Sequence, residues 1–263
     1  MAALVLSCLP WQAVATEEIW VSDLSGSIDI APDGSVEDVK LSPSLGKQID
    51  VDVTNSILKW RFEPIVEDGR AVPARAKLRI TLEARGQSDN LKVGFRNIGF
   101  YDPPKYDVGP PAHHRPELSP PSYPIEAAKE GAGADLYVIV EFAEDGTVSR
   151  AAVERIDVMP TYARVANDLA KLGMRFEKAA LKAIQGWRYP PEWIKSMDGR
   201  TARIPVRFRM RDQAWSRIYE LGKRDIPWLN VSQAPLVANV SSNGEMGSKR
   251  IVLLNRPTEG TAL

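Results

Sequence analysis

The stretch "GWRYPP" at residues 186–191 repeats, with small changes, "KWRFEP" at residues 59–64. The chain has only seven tryptophans, so Trp-Arg-aromatic written twice with proline close behind points to a repeat. The surroundings repeat as well. Upstream of each copy a segment alternates apolar and polar residues around Asp-Gly: "GSIDIAPDGSVEDVKL" around Asp33-Gly34, and "YVIVEFAEDGTVSRAAV" around Asp145-Gly146. Asp-Gly between alternating runs predicts a β-hairpin with a primed turn, because Gly tolerates positive φ. Next come apolar residues at helical spacing: Ile49, Val53, Ile57 and Trp60 in one copy, Phe176, Ala180, Ile184 and Trp187 in the other. Each set falls on one helix face, and Pro64 or Pro190 and Pro191 end the helix. A second turn follows, Asp68-Gly69-Arg70 or Asp198-Gly199-Arg200, and leads into a last strand. There Ala76, Leu78, Ile80 and Leu82 alternate with Arg75, Lys77, Arg79 and Thr81. Ile204, Val206, Phe208 and Met210 likewise alternate with Arg203, Pro205, Arg207 and Arg209.

Each copy is thus a hairpin, a helix and a third strand. The predicted class is α+β, with two domains that are each a three-stranded antiparallel sheet covered by one main helix. Trp60 and Trp187 read as core plugs, together with Phe176 and Phe208. Between them "YDPPKYDVGPPAHHRPELSPPSYP" carries eight prolines in twenty-four residues, a composition that favours extended chain over a packed core. Residues 87–118 are read as a proline-rich linker. The second copy also carries "PTYARVANDLAKLGM", whose Tyr162, Val165, Leu169 and Leu172 predict a short extra helix, and a preface, "PPSYPIEAAKEGAG". Residues 212–263 form a tail: "DQAWSRIYELGKR" reads as one or two helical turns, "APLVANV" and "KRIVLLN" as short strands.

Thirty-four basic and thirty-four acidic residues balance, so no whole-protein field draws the chain to nucleic acid or anionic lipid. The apolar start "MAALVLSCLPWQAVATEE", with Ala13-Val14-Ala15 before Glu17, reads as an export signal spanning 1–15. Val5-Leu6-Ser7-Cys8 offers a second reading, a lipoprotein anchored through Cys8. Cys8 is the only cysteine, and the only histidines are the adjacent His113-His114 in the linker, read as solvated loop. With no phosphate loop, metal-ligand cluster or nucleophile–base set, the chain reads as non-enzymatic, with no catalytic residue, metal or cofactor.

Pro121-Ser122-Tyr123-Pro124, Ala127-Ala128, Gly131, Asp145-Gly146, Phe176, Ala179-Ala180-Leu181, Trp187-Arg188-Tyr189-Pro190-Pro191 and Pro205-Val206-Arg207-Phe208 occur in one order over 119–211. In that order they resemble the TonB C-terminal domain family. Residues 22–86 resemble it more weakly, through Asp33-Gly34, Trp60-Arg61-Phe62 and Pro64. The resemblance implies a periplasmic protein of two-membrane bacteria that takes an extended segment of an outer-membrane TonB-dependent receptor, or of another envelope protein, against an edge strand. Carried onto this chain, the partner site is Tyr123 and Pro124 beside a strand bearing Arg203, Pro205, Arg207 and Arg209. Pro205 lacks an N–H, which suits an edge or a bulge. The three arginines suit either partner binding or the solvated face of an ordinary amphipathic strand. Pro120 stands where the family has a polar Gln, so no contact is carried over from there. A swap of strands between two copies would give a homodimer. The apolar N-terminus is shorter than a membrane-crossing helix, so the resemblance implies a binding module rather than a self-sufficient energy transducer, or else an envelope assembly protein.

Overall fold

The computed structural model describes residues 19–86, 91–101, 117–161, 166–196, 200–210, 214–229, 238–239, 251–258, 260 and 262–263. The export signal, Cys8 and His113-His114 lie outside them. The architecture is α+β with mostly antiparallel strands. Two compact units emerge. The first gathers 18–107, 213–217 and 247–263; the second gathers 108–212 and 218–246. No described helix is long and apolar enough to cross a membrane.

In the first unit, β1 (Ile19–Ile30) pairs antiparallel with β2 (Val36–Ser42) on one side. On its other side it pairs along its whole length with β5 (Ala74–Arg85). The alternation of β5 works as read: Ala76, Leu78, Ile80 and Leu82 are buried. On the opposite face Arg75 donates to Asp29 at 2.5 and 2.7 Å. Helix α1 (Lys47–Leu58) buries Val53 and Ile57. Its last turn closes through Trp60 N–H to the Ile57 carbonyl, 2.9 Å. Asp68 and Gly69, both at positive φ, turn the two-residue strands β3 (Val66–Glu67) and β4 (Arg70–Ala71), as a primed turn requires.

A fourth strand corrects the three-stranded reading. β6 (Lys92–Tyr101) lies inside the stretch read as linker and pairs antiparallel with β5. Its Phe95 and Phe100 meet Trp60 with ring centroids at 5.4 and 5.9 Å, so part of the stretch read as linker packs against the tryptophan. The alternation is interrupted by a bulge: Thr81 faces Asn97 and Leu82 faces Phe95, leaving Arg96 as the extra residue. Phe95 and Ile98 therefore share the core although three positions apart. Arg96 itself is buried against Glu83 at 2.7 Å.

In the second unit, α2 (Ile125–Lys129) precedes β7 (Gly133–Phe142), which pairs with β8 (Val148–Met159) on one side and β9 (Thr201–Phe208) on the other. α3 (Ala166–Ile184) is one nineteen-residue helix. The segment read as a separate extra helix becomes its first turns, with Leu169 and Leu172 buried beside Phe176, Ala180 and Ile184. Tyr162 and Val165 lie outside the described residues. Pro191 does not stop α3 but starts α4 (Pro191–Ser196), where a missing N–H costs nothing. Met210 lies beyond the end of β9 and is 53% exposed, so it is not part of the strand's apolar face.

The tail belongs to both cores. The segment read as helical forms β10 (Ser216–Lys223), antiparallel to β8 through Tyr219, Glu220 and Lys223. Pairing to a neighbouring strand overrides a short run whose periodicity fits either state. β11 (Ala238–Asn239) runs parallel to β9. Ile251 is buried in the first unit's core, with Leu253 and Leu263 packed against it.

Candidate functional site

Both Trp-Arg-aromatic motifs answer to a hairpin tip in their own unit. Gly34 N–H donates to Ala31 O at 2.9 Å, and Ala31 N–H to Ser35 O at 2.8 Å; Gly146, Ala143 and Thr147 do the same at 3.0 and 2.8 Å. Only the glycines take positive φ, 83° and 85°. These are three-residue loops closed by a glycine bulge, not the primed turns read from Asp-Gly. The aspartates cap them: Asp33 accepts from Ser35 N–H and Oγ at 2.9 and 2.6 Å, Asp145 from Thr147 N–H and Oγ1 at 3.0 and 2.6 Å. Those hydrogen bonds, side-chain first, hold both carboxyls below the usual range. Phe62 N–H then donates to Gly34 O at 2.8 Å, and Tyr189 N–H to Gly146 O at 2.9 Å. The aromatic's own carbonyl leaves no room at the glycine: a β-carbon there would lie 2.0 Å from Phe62 O or 1.8 Å from Tyr189 O. Trp60 and Trp187 stand at 2% and 6% exposure, and the Trp187 indole donates to Ser119 O at 2.8 Å.

The carried-over partner residues surround β9. Tyr123 is half-buried; its hydroxyl donates to Ala132 O at 2.6 Å, and its ring meets Phe176 and Phe208 edge-on at 5.7 and 5.6 Å. Burial raises the Tyr123 hydroxyl above its ordinary pKa. Pro124 is the N-cap of α2. β9 buries Ala202, Ile204, Val206 and Phe208 and turns Arg203, Pro205 and Arg207 away from that core. Its register with β7 is unshifted from Thr201 to Phe208, so Pro205 sits in a regular strand rather than a bulge. On the other side, among the described strands, β9 meets only β11, at Ala202 and Arg203. Among the described strands, none lies beside Ile204–Phe208 on that side.

Arg203 and Arg209 meet carboxylates of their own unit. Arg203 grips Glu154 with two bonds, 2.8 and 3.0 Å, and Lys223 approaches the same carboxylate at 3.2 Å. Burial alone would raise the Glu154 carboxyl, but Arg203 and Lys223 outweigh it and hold it below the ordinary range. Arg209 donates to Asp135 at 3.2 Å through Nε and at 2.5 Å through Nη2. Arg207 is exposed. Asp135 and Glu154 carry no local sequence signal: Glu154 reaches Arg203 because it is the extra residue of a bulge between Val153 and Arg155.

A mostly antiparallel sheet with a helix after its first hairpin and a Trp-Arg-aromatic lock defines the class of module. Residues 23–91 match the family model described as the Gram-negative bacterial TonB protein C-terminal, so this segment is similar to that family. The match falls on the copy whose resemblance is the weaker by motif. No curated protein and no solved structure matches the chain.

Proposed function

We propose that the chain is a non-enzymatic, periplasmic TonB-like binding protein, in which residues 119–211 form a second TonB-C-like copy that takes an extended segment of an outer-membrane receptor or other envelope protein. The family match over 23–91 carries this reading. The shared loop, lock and tryptophan geometry of the two units supports a duplication. The edge from Ile204 to Phe208 supports strand addition, where main-chain hydrogen bonds supply affinity and alternate side chains supply selectivity. Tyr123, held by Ala132, Phe176 and Phe208, shapes the core beneath that edge, and Arg207 lies along it on the exposed face. A titration of the full-length chain with extended receptor peptides, followed by amide NMR, tests it. The expected shifts concentrate at Ile204, Val206, Arg207 and Phe208; shifts scattered over both units, or none, would reject strand addition.

Two observations favour a second reading, assembly within the envelope without energy transduction. Arg203 and Arg209 are engaged by Glu154 and Asp135, and β11 occupies the start of the edge. Under that reading the same edge joins two copies of the chain, and sedimentation would return a dimer that receptor peptides leave intact.

A further inference from the structure

The lock segments of the two units expose one backbone edge each, and the chain fills them from opposite directions. At Arg188 both backbone groups pair with Glu117, N–H to O at 3.1 Å and O from N–H at 2.7 Å; Glu117 precedes the second unit's hairpin. At Arg61 the same two groups are met from the C-terminal tail. Arg61 O accepts from Leu254 N–H at 2.8 Å, and Arg61 N–H donates to the Asn255 side-chain oxygen at 2.8 Å. Glu63 N–H adds a bond to Val252 O at 3.0 Å, and Phe62 bridges Leu253. The Asn255 amide also donates to Lys59 O at 3.0 Å, satisfying a carbonyl at the end of α1. The tail alternates as a bound strand does: Ile251 is buried and Leu253 half-buried, whereas Val252 and Leu254 are 40% and 59% exposed. Beyond them, Gly260 and Leu263 donate to Phe95 and Val93 of β6 at 3.1 and 2.9 Å.

We propose that the Lys59–Glu63 edge is a strand-accepting site in its own right, that residues 251–255 are its resident occupant, and that it takes in trans an extended segment of the pattern Ile-x-Leu-x-Asn. Unrelated residues, Glu117 in one unit and Leu254 with Asn255 in the other, meet the backbone of the equivalent arginine, so this position reads backbone before side chain. The side chains that distinguish ligands are the two that point inward and the asparagine that clamps Lys59 and Arg61. Four hydrogen bonds and two apolar contacts are a small interface. The tail holds it because covalent attachment raises its local concentration, and an untethered competitor must be present at high concentration or match the pattern better.

The test uses the full-length chain carrying a specific protease site in place of residues 246–250, folded first and then cut. A fluorescent peptide of sequence 251–263 should bind the cut protein and raise its anisotropy. The uncut chain should bind it at least tenfold more weakly, and peptides with Asn255→Ala or Leu253→Asp should compete at least tenfold worse than the parent. If the cut protein loses its melting transition as the segment departs, recovery of the transition on adding the peptide is the same positive result, and failure to recover it contradicts the proposal. Equal uptake by cut and uncut chains, equal competition by the variants, or no exchange of the cut segment would overturn it.

Discussion

At Gly34 and Gly146 a single hydrogen atom decides whether the lock closes. Alanine at Gly146 would place a β-carbon inside the Tyr189 carbonyl and hold a positive φ that side chains resist. Gly146→Ala should therefore lower stability by at least about 2 kcal/mol, read as a shift in the denaturant midpoint; an unchanged midpoint would show that the lock is not where the chain is held. Tyr189 makes an opposite case. It is buried, its hydroxyl meets no hydrogen-bond partner among the described residues, and burial pushes that hydroxyl far above its ordinary pKa. Tyr189→Phe should be within about 0.5 kcal/mol of neutral or stabilising, since removing an unmatched buried hydroxyl loses nothing. A clear destabilisation would mean that the hydroxyl has a partner. Glu154 provides the pH-sensitive element. Its folded pKa is lowered, so its contribution is present above the unfolded pKa and fades as pH falls through the folded one. Glu154→Gln should cost about 2 kcal/mol near neutral pH and progressively less in acid. A cost independent of pH would remove the Arg203 pair as its source.

Among elements, those written in a regular period were legible and those that break period were not. The face Val53, Ile57 and Trp60 and the alternation of β5 carry their burial openly in the sequence. β6 does not, because the bulge at Arg96 puts Phe95 and Ile98 on one side and hides the strand from a period-two reading. The proline-rich composition downstream gives the whole of 87–118 the character of a linker. β10 has another reason to be illegible: its pairing to β8 is a long-range fact with no local counterpart. For the proposed site, the positions around Tyr123 and β9 come from the resemblance alone, while Asp135, Glu154, Glu117 and Asn255 act only through contacts that the fold creates. The tryptophans test the element-scale account directly. Trp187→Ala should cost on the order of 3–5 kcal/mol. Trp60→Ala should cost a similar amount, and because Phe95 and Phe100 frame Trp60, Phe95→Ala should also destabilise the first unit. If Phe95→Ala left its melting unchanged, β6 would be an appendage rather than part of the core.

Across the whole molecule the two segments proposed as copies differ in charge. Residues 16–86 hold nine basic and thirteen acidic side chains, residues 119–211 fifteen and twelve, so the proposed partner-binding copy is the basic one. A basic surface speeds encounter with an acidic partner more than it strengthens the final complex, so binding should slow as salt rises. The tail contributes to both units, which makes full-length protein the right material for any binding experiment. The most direct measurement is photocross-linking in intact cells from residue 207 of the full-length chain, with Lys178 on the exposed side of α3 as the control position. The account predicts a discrete adduct from position 207, identified by mass spectrometry as an envelope protein joined through an extended segment, and none from 178. The same adducts from both positions, or no adduct from 207, would contradict strand addition at β9 as the function of this protein.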